Sequence, residues 1–162
     1  MQRIEYRTID KESWGEGPWQ SEPDKIQWQD EETGYPCLIH RAHKELGHLC
    51  GYVGVPPGHP AFNKDYDGVN ADVHGGLTFA GPCQSVSDES HGICHKPEAG
   101  EPDHVYWLGF DCAHLMDYVP GMVAGVRARG STTYGENDVY RDVGYVTAEC
   151  QKLAKQLKAM EE

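Results

Sequence analysis

The sequence predicts an α+β fold, an antiparallel sheet of about four to five strands with one long C-terminal helix packed on a face. Three observations lead there. Val139, Val143, Val146, Cys150, Leu153, Leu157 and Met160 are spaced four, three, four, three, four and three residues apart, which sets them on one helical stripe. Upstream, short apolar or alternating runs are bounded by turn residues, as strands are. The early runs follow one another through short turns, and the helical pattern comes only after them, so strands and helices do not alternate.

In chain order, "RIEYRTI" at 3–9 alternates weakly and reads as an edge strand. Residues 10–34 are polar, with Gly, Pro, Trp14, Trp19 and Trp28, and read with the N-terminus as an arm, 1–34, that its tryptophans pin to the body. The sheet is expected over 35–120. "YPCLIHRAH" at 35–43 is a strand, "KELG" a turn, and "HLCGYVGV" at 48–55 the returning strand. Cys37, Ile39 and Arg41 then face one way, and Leu38, His40 and Ala42 the other. "PPGHP" at 56–60 stops that strand, because proline has no N–H for a ladder. Residues 61–71 are a loop, and "DVHGGLTFAG" at 72–81 is a third main strand interrupted by Gly75 and Gly76. Residues 82–103 are too polar for an element and form an insertion loop. "HVYWLGFD" at 104–111 is the fourth main strand, and "CAHLMDYV" at 112–119 has the length of two helical turns before Pro120. Residues 121–136 are Gly-rich and expected to be mobile, and the helix occupies 137–161, with Asn137 or Asp138 as its cap. Its stripe is expected on the sheet or, as the alternative, in a seam between two chains, so the protein is a monomer or a homodimer through this helix. All of 1–162 makes one domain.

The totals restrict function. Net charge is −12, from 26 acidic and 14 basic residues, against a surface that tracks nucleic-acid phosphates or docks on anionic membranes. No run approaches the ~18 apolar residues of a membrane span, and the polar N-terminus lacks a signal-peptide core. A cytoplasmic protein is therefore expected, with its six cysteines mostly reduced.

The candidate site starts at "YWLGFDCAHLMD", 106–117, where an aromatic run gives way to Asp111, Cys112, His114 and Asp117. His114 is three residues from each carboxylate, either of which can orient its imidazole as general acid or base. An Asp111 that only caps a helix and a Cys112 that only fills core account for the same letters. In "VHGG", 73–76, Gly75 and Gly76 offer bare backbone to a ligand beside His74, or else a bulge at a sheet edge. His59 joins them from a loop at a strand end. His74, Asp111, His114 and Asp117 are the expected catalytic residues, and His59, Gly75 and Gly76 the ligand contacts. In the insertion loop, Cys83, His91, Cys94 and His95 are ligands of the type zinc prefers, although no familiar finger spacing results. A zinc clip, a Cys83–Cys94 disulfide and a plain loop are the three arrangements open there.

The phrases "GYVGVPPGHP", "VHGGLTFAG", "ICHKPEAGEPDHVYWLGFDCAH" and "YRDVGYVTAEC" resemble a family of small uncharacterised phage and bacterial proteins, over about residues 37–155. The resemblance implies a cytoplasmic protein, often virus-borne, that acts inside a bacterial host. It transfers no activity. Two functions follow as expectations. One is a His/Asp pocket that binds or hydrolyses a small polar or nucleotide-like molecule. The other is a non-catalytic acidic protein that binds and blocks a host protein through the tryptophan-bearing arm, with aromatic anchors inside a charged rim.

Overall fold

Six strands and two α-helices make up the computed structural model, which describes residues 1–84 and 86–162. The strands are β1 (Ile4–Tyr6), β2 (Lys25–Gln29), β3 (Pro36–Arg41), β4 (Leu49–Val55), β5 (Phe79–Pro82) and β6 (Tyr106–Asp111). The helices are α1 (Pro120–Ala128) and α2 (Val143–Ala159). The strands form one sheet in the order β1-β2-β3-β4-β6-β5, antiparallel at every pairing. The fold is therefore α+β, with the C-terminal helix on one face.

Alternation along the strands sorts the side chains into two layers. Ile26, Ile39, Gly51 and Phe110 are register partners across β2, β3, β4 and β6, as are Trp28, Cys37, Val53 and Leu108. They form the main core with Val146, Cys150, Leu153 and Leu157 of α2. At Gly51 a side chain would collide with Phe110 and the Cys150 thiol, so bare backbone here lets α2 lie close on β4. Asp142 caps α2, its carboxylate accepting from Tyr145 N–H at 2.8 Å. The helix thus begins after Asn137 and Asp138, and Val139 instead bridges to Asp117, off the buried stripe.

The opposite face is also covered. Leu38, Tyr52 and Trp107 point there and pack with Val105 and Ile93 of the insertion loop. That loop, apart from Ser85, which lies outside the described residues, is fastened to β2. The Lys25 ammonium donates to the Glu89 carbonyl at 2.7 Å. Gln27 donates from Nε2 to the Lys96 carbonyl and accepts the Lys96 N–H through Oε1. These bonds explain why β2 differs from the expected arm. Its Lys25 and Gln27 are polar yet buried, because the loop supplies their partners. Trp28 sits within β2, and Trp14 and Trp19 are buried in the short turns before it, so none of the three is a free anchor.

Three other segments depart from the expected elements. Gly75 and Gly76 have φ of 67° and 81°, which no strand tolerates, so the chain turns there and β5 starts only at Phe79. Residues 112–119 make turns rather than a helix, with Met116 at φ 74°. Within 121–136 a real helix forms. Pro120 opens α1 from its first turn, and Gly121 fits against the backbone of Lys44 and Glu45.

Candidate functional site

The segments at 73–78 and 111–117 meet at the end of β6. Because β5 and β6 are antiparallel, with Phe79 opposite Gly109, residues just before β5 lie beside those at the end of β6. Asp111 takes its place on the loop-covered face, opposite Cys50 of β4. His74 is held on the other side, by α2, where the Glu149 carboxylate accepts its backbone N–H at 2.7 Å. His114, past the strand end, reaches both. Its ring centroid is 5.8 Å from that of His74, and its Nε2 is 3.2 Å from Asp111 Oδ1.

At the centre is Asp117, whose side chain is 1% exposed. Its Oδ2 accepts from His74 Nε2 at 2.7 Å and from the His114 backbone N–H at 3.0 Å. Its Oδ1 accepts from Arg141 Nε at 3.0 Å. Burial alone pushes this carboxyl up, but the three donors outweigh it and hold the group below the usual aspartate range. A carboxylate accepts only, so His74 carries its proton on Nε2. Nδ1 then accepts from the Tyr145 hydroxyl at 2.8 Å. Phenol, imidazole and carboxylate form one line, and the Arg141 guanidinium lies 4.9 Å over the Tyr145 ring. Burial, then the nearby Glu149 charge, raise the Tyr145 phenol, so at rest it keeps its proton.

Chemically, His74 can take a proton through Nδ1 while Asp117 stabilises the imidazolium, the division of labour of a hydroxyl–His–Asp triad, which is recognised by geometry rather than sequence order. Among the described residues the terminal NH2 groups of Arg141 make no further hydrogen bond, so they remain available to an anion. The bare backbone of Gly75 serves the imidazole and not a ligand, since a side chain there would collide with His114. Nothing lies within 4 Å of the corresponding position at Gly76. Asp111 accepts from the Thr78 hydroxyl at 3.0 Å and the Ala113 N–H at 3.1 Å, closing a turn instead of capping a helix. Cys112 is buried, and burial raises its thiol far above the range of a nucleophile.

His59 lies elsewhere. It is buried, its Nδ1 accepts the Ala61 N–H at 2.9 Å, and its Nε2–H therefore donates to the Leu157 carbonyl at 2.7 Å. That bond satisfies an end carbonyl of α2 and leaves neither ring nitrogen for a ligand. Sequence reasoning missed Arg141, just before α2, Tyr145 in its first turn, and Glu149 further along it. The one signal was "YRDVGY", which puts an arginine and a tyrosine on either side of a capping aspartate.

In the insertion loop, Cys83 and Cys94 are joined in a disulfide, one of the three arrangements the sequence left open. Ligand atoms of Cys83, Cys94 and His95 all lie within 4.8 Å of one another. His91 is not in that group. It is exposed and 4.0 Å from Asp88. Among the described residues no helix is long and apolar enough to cross a membrane. Searches against protein-family models, curated proteins and solved structures found no match.

Proposed function

We propose that the Tyr145–His74–Asp117 line, with Arg141 beside it, is a hydrolytic site for a small polar or nucleotide-like anion. One observation carries the reading. His74 is bonded to a buried carboxylate through one nitrogen and to a hydroxyl through the other, the arrangement general-base catalysis needs. Arg141 and the half-buried His114 supply the attraction for an anionic group. The reading assigns the base to His74, where the sequence had suggested His114. It goes with a cytoplasmic setting and with kinship to the phage and bacterial proteins that the sequence resembles.

The test combines a panel of p-nitrophenyl phosphomonoesters, phosphodiesters and carboxylic esters with NMR titration of the histidine ring signals by nucleoside monophosphates. Turnover of one class that disappears in Tyr145→Phe and His74→Ala, with shifts centred on His74 and His114, is the expected result. No turnover and no shift with any of them would sink the reading.

A second reading has its own observation. Leu115 is 93% exposed and Met116 beside it is half exposed, an apolar knuckle on an acidic surface next to His114. A protein that binds and blocks a host partner would use this knuckle as its anchor, since the tryptophans are buried. The His74 bonds then only fasten the chain, and His74→Ala lowers the melting temperature without touching any ligand response.

A further inference from the structure

We infer that Cys83, Cys94 and His95 form a thiol-gated zinc site, closed by the disulfide and opened when a dithiol reductant cleaves it. The three ligand atoms already lie within 4.8 Å of one another, so an ion can be reached by side-chain rotation without moving strands. Cys94 and His95 line a cavity of about 210 Å³ together with Lys25, Gln27, Glu89 and Lys96, which gives ion and reductant a path.

A second observation points to a ligand independently. His95 is 8% exposed, and its Nδ1 is buried with no hydrogen-bond partner. An orphaned ring nitrogen is costly in a protein interior, and metal coordination is one of the few things that satisfies it. The His95 ring is otherwise well held, packed edge-on to Trp107 at 5.3 Å between centroids.

The sulfur atoms are equally prepared. Trp107 Nε1–H donates to Cys83 Sγ at 3.4 Å, a bond that strengthens when the sulfur becomes a thiolate. The buried Lys25 ammonium lines the same cavity and favours negative charge there. Two thiolates and one imidazole are one of the protein ligand sets of open zinc sites, with water in the fourth position.

The step balances as follows. The dithiol reductant attacks the Cys83–Cys94 bond and leaves oxidised as its own disulfide. Two electrons and two protons pass to the protein, giving two thiols. Zinc then displaces both thiol protons to solvent and binds the thiolates. A disulfide oxidant reverses the sequence: it takes two electrons from the zinc-bound thiolates and leaves as its dithiol, the Cys83–Cys94 bond re-forms, and the ion is released to solvent.

The experiment uses the full chain, oxidised or reduced anaerobically with a phosphine, then desalted into zinc or cobalt. Stoichiometric zinc on the reduced chain and none on the oxidised chain is expected. Cobalt in its place should give thiolate-to-metal charge-transfer absorption in the near ultraviolet. Cys94→Ser and His95→Gln should each lose the stoichiometric ion while keeping the circular dichroism of the parent. Bound zinc should also slow the return of the disulfide in air. Reduced protein that takes up no more metal than the oxidised form would overturn the inference. So would reduced Cys94→Ser binding like the parent, since the ion would then sit on other cysteines. Should either variant fail to fold, the oxidised–reduced comparison and the cobalt spectrum decide alone.

Discussion

Single histidines in this protein differ by what their two nitrogens touch. Those of His59 are both spent on backbone groups, so His59→Ala leaves the Ala61 N–H without its partner in a buried setting, while the Leu157 carbonyl keeps the Met160 N–H. A loss of about 1–3 kcal/mol is expected, read as a lowered denaturant midpoint at unchanged slope. Gly75→Ala forces a side chain into positive φ and onto the His114 ring. It should cost about 1–3 kcal/mol and shift the His114 ring signals in NMR spectra. His40 sets a pH dependence. Burial, then the Lys25 and His91 charges, lower it from 6.5 to about 4, against a smaller upward pull from Asp24. Between those values the unfolded chain binds the proton and the folded chain does not. Stability from this group is full above pH 6.5 and is lost as pH falls toward about 4. Urea midpoints measured across that range should fall with pH, and His40→Gln should flatten the slope.

Elements show where sequence pattern suffices and where it cannot. The α2 stripe was legible because one face of one helix meets one sheet, so periodicity and burial agree. Leu153→Asp should cost roughly 3–5 kcal/mol and lower the melting temperature on the order of 10 °C. A variant melting with the parent would mean that the stripe is unpacked. By contrast, β2 was hidden because Lys25 and Gln27 look like loop residues until carbonyls 64 to 69 positions away accept from them. Gly121 and Gly125 disguised α1, whose tight seat on Lys44 and Glu45 favours a residue without a side chain. At the site, "GFDCAHLMD" and "VHGG" were legible as polar interruptions of apolar runs. Tyr145 and Arg141 were not, since a tyrosine and an arginine at a helix start are ordinary surface letters until His74 and Asp117 arrive from elsewhere.

The whole molecule has three layers: α2, the sheet, and the disulfide-tied loop. Cys83 and Cys94 are 11 residues apart, and the chain-entropy estimate for closing such a loop is about 3 kcal/mol. Reduction in metal-free buffer should therefore lower the unfolding midpoint. It should also speed amide exchange in residues 86–105 far more than in α2, because the two layers touch opposite faces of the sheet. Equal acceleration in both would mean that the layers are not separable.

The strand order also dictates how the chain must assemble. β6 stands between β4 and β5, so an interior seam of the sheet joins Val55 to Tyr106 across a long stretch of chain. During synthesis β5 emerges with nothing to pair with, and β4 keeps an open edge until residue 111 has been made. Every intermediate before that point exposes an unpaired apolar strand, an invitation to pairing with another nascent chain. The closure is paid late in entropy, which predicts slow folding for a chain of this size. High temperature or crowded expression should therefore turn newly made protein into aggregate more readily than it harms molecules already folded.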